Sequence, residues 1–421
     1  MKHYPLLENK TEKFLFGLYL VAMLFLSRDT LFSSCIVGFQ RSQLYMFGLI
    51  GLLGLWFLIR NFKDLKSIVL DRRMIAFGLS AAVLLIPMLL KQDWQLMYFS
   101  ILLCLLFAVF LTYFTSVEFV AKNYVVILCL LSVYSIFVTY GLWESAYYGK
   151  ISVPVFYNSN EWPFFDFKFA YAVVWGGWYR NFGIFREPGV YQFFILLALY
   201  LNNYAANWNK EWKLWVCNAV LTVTMITTFS IVGYAELALF VVFFYFDRKF
   251  YRETWGKIAA LLAVVAGVGF LICVFFIIQG EAFGNSVFYE FYDMFIRLFT
   301  KSDSSTDRMD AIVTNIQLFL RSPLVGDSIQ NVLHGTNHNT SSTLILFAIL
   351  GFAGGAVNVA AWVALVWKRE RNVLGNLVLL LIMFLSFNTQ NLVANVFFWL
   401  FPMMALVERS ALVLKKPDAE G

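Results

Sequence analysis

Hydrophobic positions in this chain come in long runs, apolar on every face, separated by short clusters of polar and charged residues from one end to the other. A helix buried on one side shows a stripe of apolar residues, whereas a helix surrounded by hydrocarbon is apolar all round. The runs therefore predict membrane-crossing helices near residues 12–27, 43–59, 74–90, 95–115, 124–143, 190–206, 213–229, 231–247, 257–279, 341–367, 372–387 and 392–408. The fold class expected is an all-α polytopic membrane protein of about 12 transmembrane helices, formed as one integral-membrane domain over residues 1–421.

Composition agrees with the pattern, since 61% of residues are hydrophobic, 14% are charged, 46 are Phe and the mean hydropathy is +0.71. Charge adds an orientation, because short cytoplasmic loops retain Lys and Arg. With the N-terminus inside, 21 of the 32 basic residues fall on the cytoplasmic side, and the short outer loops keep only Arg28, Arg41 and Lys91. Both termini are then cytoplasmic, the net charge of +6 is a matter of topology, and no nucleic-acid partner is needed to account for it. The first run is followed by "LSRDTLFSS", with no small-residue cleavage site, and reads as a spanning helix. The five cysteines lie within or at the edge of apolar runs, which argues against a disulfide framework. Three histidines without HxxxH or CxxC spacing make no zinc site, and no nucleotide-binding glycine motif occurs.

The remaining eight basic residues lie in two segments, 144–189 and 280–340, that face the same outer side and exceed what a connection between helices requires. The first is dense in aromatic residues and broken by Pro154, Pro163 and Pro188. Such rings favour the membrane interface, and they also stack on sugars. It ends in "RNFGIFREPGVYQ", which gathers Arg180, Arg186 and Glu187 around two glycines and a proline. The second segment opens with an amphipathic pattern over 286–299. After it, Ser304 and Asp307 have capping-box spacing, which puts Arg308 in the first turn of a helix ending near Arg321. There Arg308 either joins free backbone N–H groups in holding a phosphate or pairs with Asp307 or Asp310.

The segment closes on "NVLHGTNHNTSSTLILF", where Asn339, Thr340 or Ser341 caps the next apolar helix and His338 stands just outside its start. The positive helix end keeps a nearby imidazole neutral and able to accept a proton. His334 is the alternative, and a loop histidine is also an ordinary surface group. Glu236 is the clearest ionisable residue well inside a predicted span, where it faces a cavity or a partner such as an arginine from the outer loops, either functional or structural. Arginines suit a pyrophosphate that gains charge as a bond to it breaks, and a histidine suits the attacking hydroxyl. Together they imply transfer of a sugar chain from a lipid pyrophosphate to an acceptor hydroxyl at the outer face.

"RNFGIFREP" is similar to the Arg-x-x-Gly-x-Phe-x-x-Pro element of the O-antigen ligase and polymerase superfamily of bacterial surface-polysaccharide enzymes. "STDRMDAI" followed by "SPLVG", and "HNTSSTLILFAILG", resemble that family in order and topology. The resemblance implies a GT-C-like membrane glycosyltransferase of the bacterial cytoplasmic membrane that uses undecaprenyl-pyrophosphate-linked glycan, with membrane lipids around it, room for a chain-length regulator, and neither cofactor nor metal. By motif position, Arg180 and Arg308 would hold the donor pyrophosphate and His338 would be the base or acceptor-orienting group. Arg186, Glu187, Glu236 and Asn339 would line the substrate site. Ser230 matches a family Ser-Arg junction in which Ile231 replaces the basic residue. The "FREPG" form, in place of the ligases' His-Pro-Asn, inclines the resemblance towards a polymerase. Ligation to a lipid A core and a lipid-linked oligosaccharide flippase are the alternatives.

Overall fold

The computed structural model describes residues 9–60, 62, 72–157, 163–173, 180–252, 254, 303–334 and 339–413. Its helices are α1 (Lys10–Leu26), α2 (Phe39–Arg60), α3 (Arg72–Lys91), α4 (Leu96–Phe114), α5 (Val117–Phe137), α6 (Trp143–Tyr147), α7 (Pro188–Tyr204), α8 (Glu211–Thr227), α9 (Ile231–Asp247), α10 (Asp303–Arg321), α11 (Ile329–His334), α12 (Ser342–Val366), α13 (Val373–Asn388) and α14 (Val396–Val413). Eleven of the apolar runs coincide with these helices, and the run 257–279 lies outside the described residues, as does the amphipathic pattern over 286–299.

Four described stretches are long and apolar enough to cross a bilayer, namely Arg73–Lys91, Leu96–Phe114, Val117–Tyr147 and Ser342–Val366. The third is α5 and α6 joined through a wide helical turn at Val138–Leu142. Large apolar side chains are exposed on the outward faces, among them Leu52, Ile59, Leu79, Leu130, Val242 and Leu381, as expected where lipid replaces water as the surrounding medium. The protein is a predominantly helical membrane protein.

Two helices form the centre. α7 is buried along nearly its whole length, packed by α5, α8, α9 and α13, and α14 is enclosed by α3, α4, α5 and α12. Phe194 against Phe397 joins the two, and beside them Trp362 of α12 stacks on Phe387 of α13 at 4.6 Å. Pro188 opens α7 where a missing N–H costs nothing, and Glu187 precedes it with extended backbone.

The first outer segment departs from the all-helical expectation. It holds a three-stranded antiparallel sheet, β1 (Val155–Tyr157), β2 (Pro163–Asp166) and β3 (Tyr171–Val173), paired Val155↔Phe165 and Phe164↔Val173. Aromatic residues that read as an interfacial belt are also strong strand formers, and the cross-strand Phe156 and Phe164 rings stack at 5.5 Å. The β2–β3 turn is closed by the Lys168 N–H donating to Asp166 Oδ1. The chain then returns past Gly183, whose φ of +57° and position against the Tyr191 ring leave no room for a Cβ.

α12 is broken. Gly351 has φ 67° and ψ −165° in the middle of an apolar helix, and its missing Cβ would fall 2.4 Å from the Leu324 carbonyl oxygen. Thr343 binds Asn388 while Trp362 stacks on the adjacent Phe387, although an unbroken helix would separate residues 343 and 362 by about 28 Å. The two halves of α12 are thus bent towards one end of α13.

Candidate functional site

The ends of the helices that the charge pattern assigns to the outer side carry a concentration of buried polar groups, many of them held by a specific partner. Arg186 donates its backbone N–H to the Asp29 carbonyl, and its guanidinium lies 3.5 Å from the Asp29 carboxylate and 3.8 Å from that of Glu187. Asp29 is 1% exposed and also accepts from Asn395 Nδ2 at 2.8 Å, which joins the end of α1 to the starts of α7 and α14. Burial, opposed by Asp29 and reinforced by the like charge of Arg186, holds the Arg28 guanidinium below its ordinary range. Arg186 and Glu187 remain partly exposed beside this anchor.

Arg180 occupies a different place. Its Nε donates to the Thr228 carbonyl at 3.2 Å and its Nη2 to the Phe229 carbonyl at 3.0 Å, where α8 ends. Phe229 is in the left-handed region at φ 47°, and the buried Asn181 adds an N–H bond to the Thr227 carbonyl. A guanidinium at a helix C-terminus satisfies carbonyls the helix leaves unpaired and complements its dipole. The side chain expected to face a pyrophosphate is therefore engaged in holding the α8–α9 junction.

Ser230 follows as the N-cap of α9, accepting from the Gly233 N–H. Its hydroxyl donates to Gln192 Oε1 on α7, and Gln192 Nε2 donates to Thr389 Oγ1 at the end of α13. Gly189 and Gly233 each bring backbone so close to Gln390 or Gln192 that a Cβ would collide. One turn further along α9, Glu236 is 1% exposed and points into the bundle, with neither carboxylate oxygen hydrogen-bonded among the described residues. The buried Ser386 hydroxyl on α13 lies beside it, and no arginine among the described residues pairs with it. The pairing expected between Glu236 and a loop arginine is thus not formed among those residues.

Asn339 is committed to the protein. Its amide exchanges two hydrogen bonds with the fully buried Asn315 of α10, at 2.8 and 2.9 Å, and donates to the Val332 carbonyl of α11. It does not cap α12, whose N-cap is Ser341 without a side-chain bond. The cap comes from across the bundle, where Asn388 Oδ1 accepts from the Thr343 N–H, while Ser342 bridges the Gln390 carbonyl and the Leu392 N–H. α10 begins at Asp303, earlier than the capping-box reading required, so Arg308 lies in its second turn and not the first. The Arg308 side chain and the whole of His338 lie outside the described residues, as does the side chain of His334.

The break in α12 is bridged from outside the helix. The Asp327 N–H bonds the Ala348 carbonyl and the Phe352 N–H bonds the Pro323 carbonyl, so segment 322–328 fills the gap with its own backbone. Lys91 caps the remaining carbonyl of Ile349 at 2.5 Å. Irregular backbone at membrane depth persists only where protein satisfies it in this way.

Sequence reasoning missed Asp29, Gln192, Asn315, Asn388 and Lys91. Gln192 had a signal, as a polar residue in the all-apolar first half of α7, whereas Asn388 reads only as the end of a span. Comparison with protein-family models, with curated proteins and with solved structures yields no match to this chain.

Proposed function

We propose that this chain is a metal-independent glycosyltransferase of the bacterial cytoplasmic membrane, with about twelve crossings and both termini in the cytoplasm. It polymerises undecaprenyl-pyrophosphate-linked oligosaccharide repeat units into capsule, O-antigen or exopolysaccharide at the outer face. The observation that supports this reading most is the gathering of Asp29, Arg186, Gln192, Ser230, Thr389 and Asn395 from separate helices at one end of the bundle. That end is where the "RNFGIFREP" and "SPLVG" elements lead. In this reading Arg186, anchored by Asp29, and Arg308 supply charge to the donor pyrophosphate, and Glu187 stands beside them. Arg180 fixes the α8–α9 junction, and its direct contact with donor is the secondary role. His338 takes the proton of the acceptor hydroxyl or orients it, next to an Asn339 that is itself pinned by Asn315. A lipid A core as acceptor would make the same chemistry a ligation.

Two features favour a carrier of lipid-linked oligosaccharide as the second reading, namely the broken α12 and the buried Glu236. Transporters place both at membrane depth. Against it, three backbone groups of the α12 break are already taken by segment 322–328 and Lys91. Purified protein incubated with a lipid-pyrophosphate repeat unit, without added metal or nucleotide, tests the enzyme directly. A ladder of products supports polymerisation, and unchanged substrate that instead crosses liposomes would overturn it in favour of the carrier.

A further inference from the structure

Lys91 ends α3, and its ammonium is held by three oxygens from three parts of the chain. It donates to the Tyr98 hydroxyl at 2.9 Å, the Asp327 carbonyl at 2.8 Å and the Ile349 carbonyl at 2.5 Å. That uses all the donors a primary ammonium has. The Ile349 carbonyl is the exposed negative end of the first half of α12, and the Asp327 carbonyl belongs to the segment that fills the break. The fit leaves no slack, because a Cβ on Gly326 would fall 2.4 Å from the Ile349 carbonyl carbon and one on Gly351 would fall 2.4 Å from the Leu324 oxygen. Both glycines have positive φ, at 76° and 67°.

Two residues on, Asp93 Oδ2 accepts the Ile329 N–H at 2.8 Å, at the start of α11. α11 in turn offers its Val332 carbonyl to Asn339, which Asn315 also grips. A continuous series of hydrogen bonds therefore runs from the short α3–α4 turn, through segment 322–329, to the residue that follows His338. Neither Lys91 nor Asp93 has a place in the chemistry described so far.

We propose that Lys91 is a positioning residue for glycan transfer, pinning segment 322–328 into the break of α12 and, with Asp93, fixing where α11 and Asn339 stand at the outer end of the bundle. This rests on the polymerase reading for its functional half, whereas the pin itself is a property of the fold. A compact ammonium suits the site because each oxygen needs an N–H aimed at it from one point. A guanidinium is broader and meets two of the three at most.

The test compares wild type with Lys91→Ala, Lys91→Met and Lys91→Arg in the full-length protein. Amide exchange over 322–329 and 349–353 should quicken by about tenfold or more in the Ala and Met variants, the least that losing one charge-assisted hydrogen bond entails. Exchange elsewhere in α7 and α14 should not change. On a lipid-pyrophosphate repeat unit, kcat should fall by about tenfold or more while KM for the donor stays near wild type, since the pin touches no substrate. Ethylammonium added to Lys91→Ala should restore both protection and kcat, and tetramethylammonium, with the same charge and no N–H, should restore neither. Lys91→Arg should lie between. Wild-type exchange over both segments in Lys91→Met would overturn the pin, and quickened exchange with unchanged kcat would overturn its role in positioning. A wild-type protein that transfers no glycan yet shows Lys91-dependent protection would sink the polymerase reading and leave the pin standing.

Discussion

Arg180 offers the sharpest separation between a residue that holds the fold and one that holds a ligand. Replacing it by Ala removes two charge-assisted hydrogen bonds to the Thr228 and Phe229 carbonyls. Such bonds contribute about 1.5–3 kcal/mol each when buried, and Arg180 is only half-buried, so about 2 kcal/mol for the pair is the expected loss. The strain of Phe229 in the left-handed region, about 1–2 kcal/mol, is then no longer offset at that turn. A loss of about 2 kcal/mol corresponds to about thirty-fold faster local opening. Amide exchange over residues 228–234, read by mass spectrometry in detergent or nanodiscs, measures it. Arg180→Lys should recover about half of the lost free energy, because one ammonium reaches one carbonyl well and not both. Donor binding should follow the junction, failing in Arg180→Ala and returning in part in Arg180→Lys. Wild-type exchange over 228–234 in an Arg180→Ala protein that no longer binds donor would refute the junction role and return Arg180 to direct contact with the pyrophosphate.

Three further outcomes follow from the same geometry. Glu236→Leu, which removes a buried carboxylate without hydrogen bonds, should raise the thermal midpoint, by the equivalent of about 1–3 kcal/mol, while reducing transfer; a lowered midpoint would show that the acid is a structural partner. A double-mutant cycle on Asn315→Ala and Asn339→Ala should give a coupling of about 1–2 kcal/mol for the two reciprocal amide bonds, and additive effects would show that they do not act as a pair. His338→Ala should cost about a hundred- to ten-thousand-fold in transfer with donor binding intact, and His334→Ala much less; equal activity of His338→Ala and wild type would move suspicion to Glu187.

Helix positions were legible in the sequence because hydrocarbon imposes one simple demand, twenty or so apolar residues in a row, and Leu96–Phe114, where the run 95–115 was expected, follows it closely. The sheet at 155–173 was not legible, since its aromatic residues serve a membrane interface and a strand equally well, and only the pairing partner distinguishes them. The polar site was legible in part. Charged residues in an apolar chain mark themselves, which is how Arg180, Arg186 and Glu236 were found, yet the sequence could not tell that Arg180 is turned onto the end of α8. Asp29 was hidden because its partners, Arg186 and Asn395, are far from it along the chain. The break at Gly351 was hidden for the same reason, since one glycine in an apolar helix acquires meaning only when segment 322–328 and Lys91 are seen to fill it.

The burial of α7 on all sides bears on how the protein is made. During synthesis α5 precedes α7 but α8, α9, α13 and α14 follow it, so the helix that ends at the centre at first lacks most of the neighbours that cover it. Its Asn202 and Asn203 are then without the partner they later share, Asn218 of α8, which accepts from both and donates to Asn203. Until then Asn203 has the Leu199 carbonyl of its own helix and Asn202 the Trp208 indole N–H, and the arrival of α8 adds the shared amide bonds locally, before any distant helix exists. The α7–α8 pair is therefore the earliest unit in which both amides share a partner on a neighbouring helix. In chains arrested beyond residue 227 α7 should resist proteolysis more than in chains arrested at residue 206, and equal resistance would show that the bonds to α8 do not steady it.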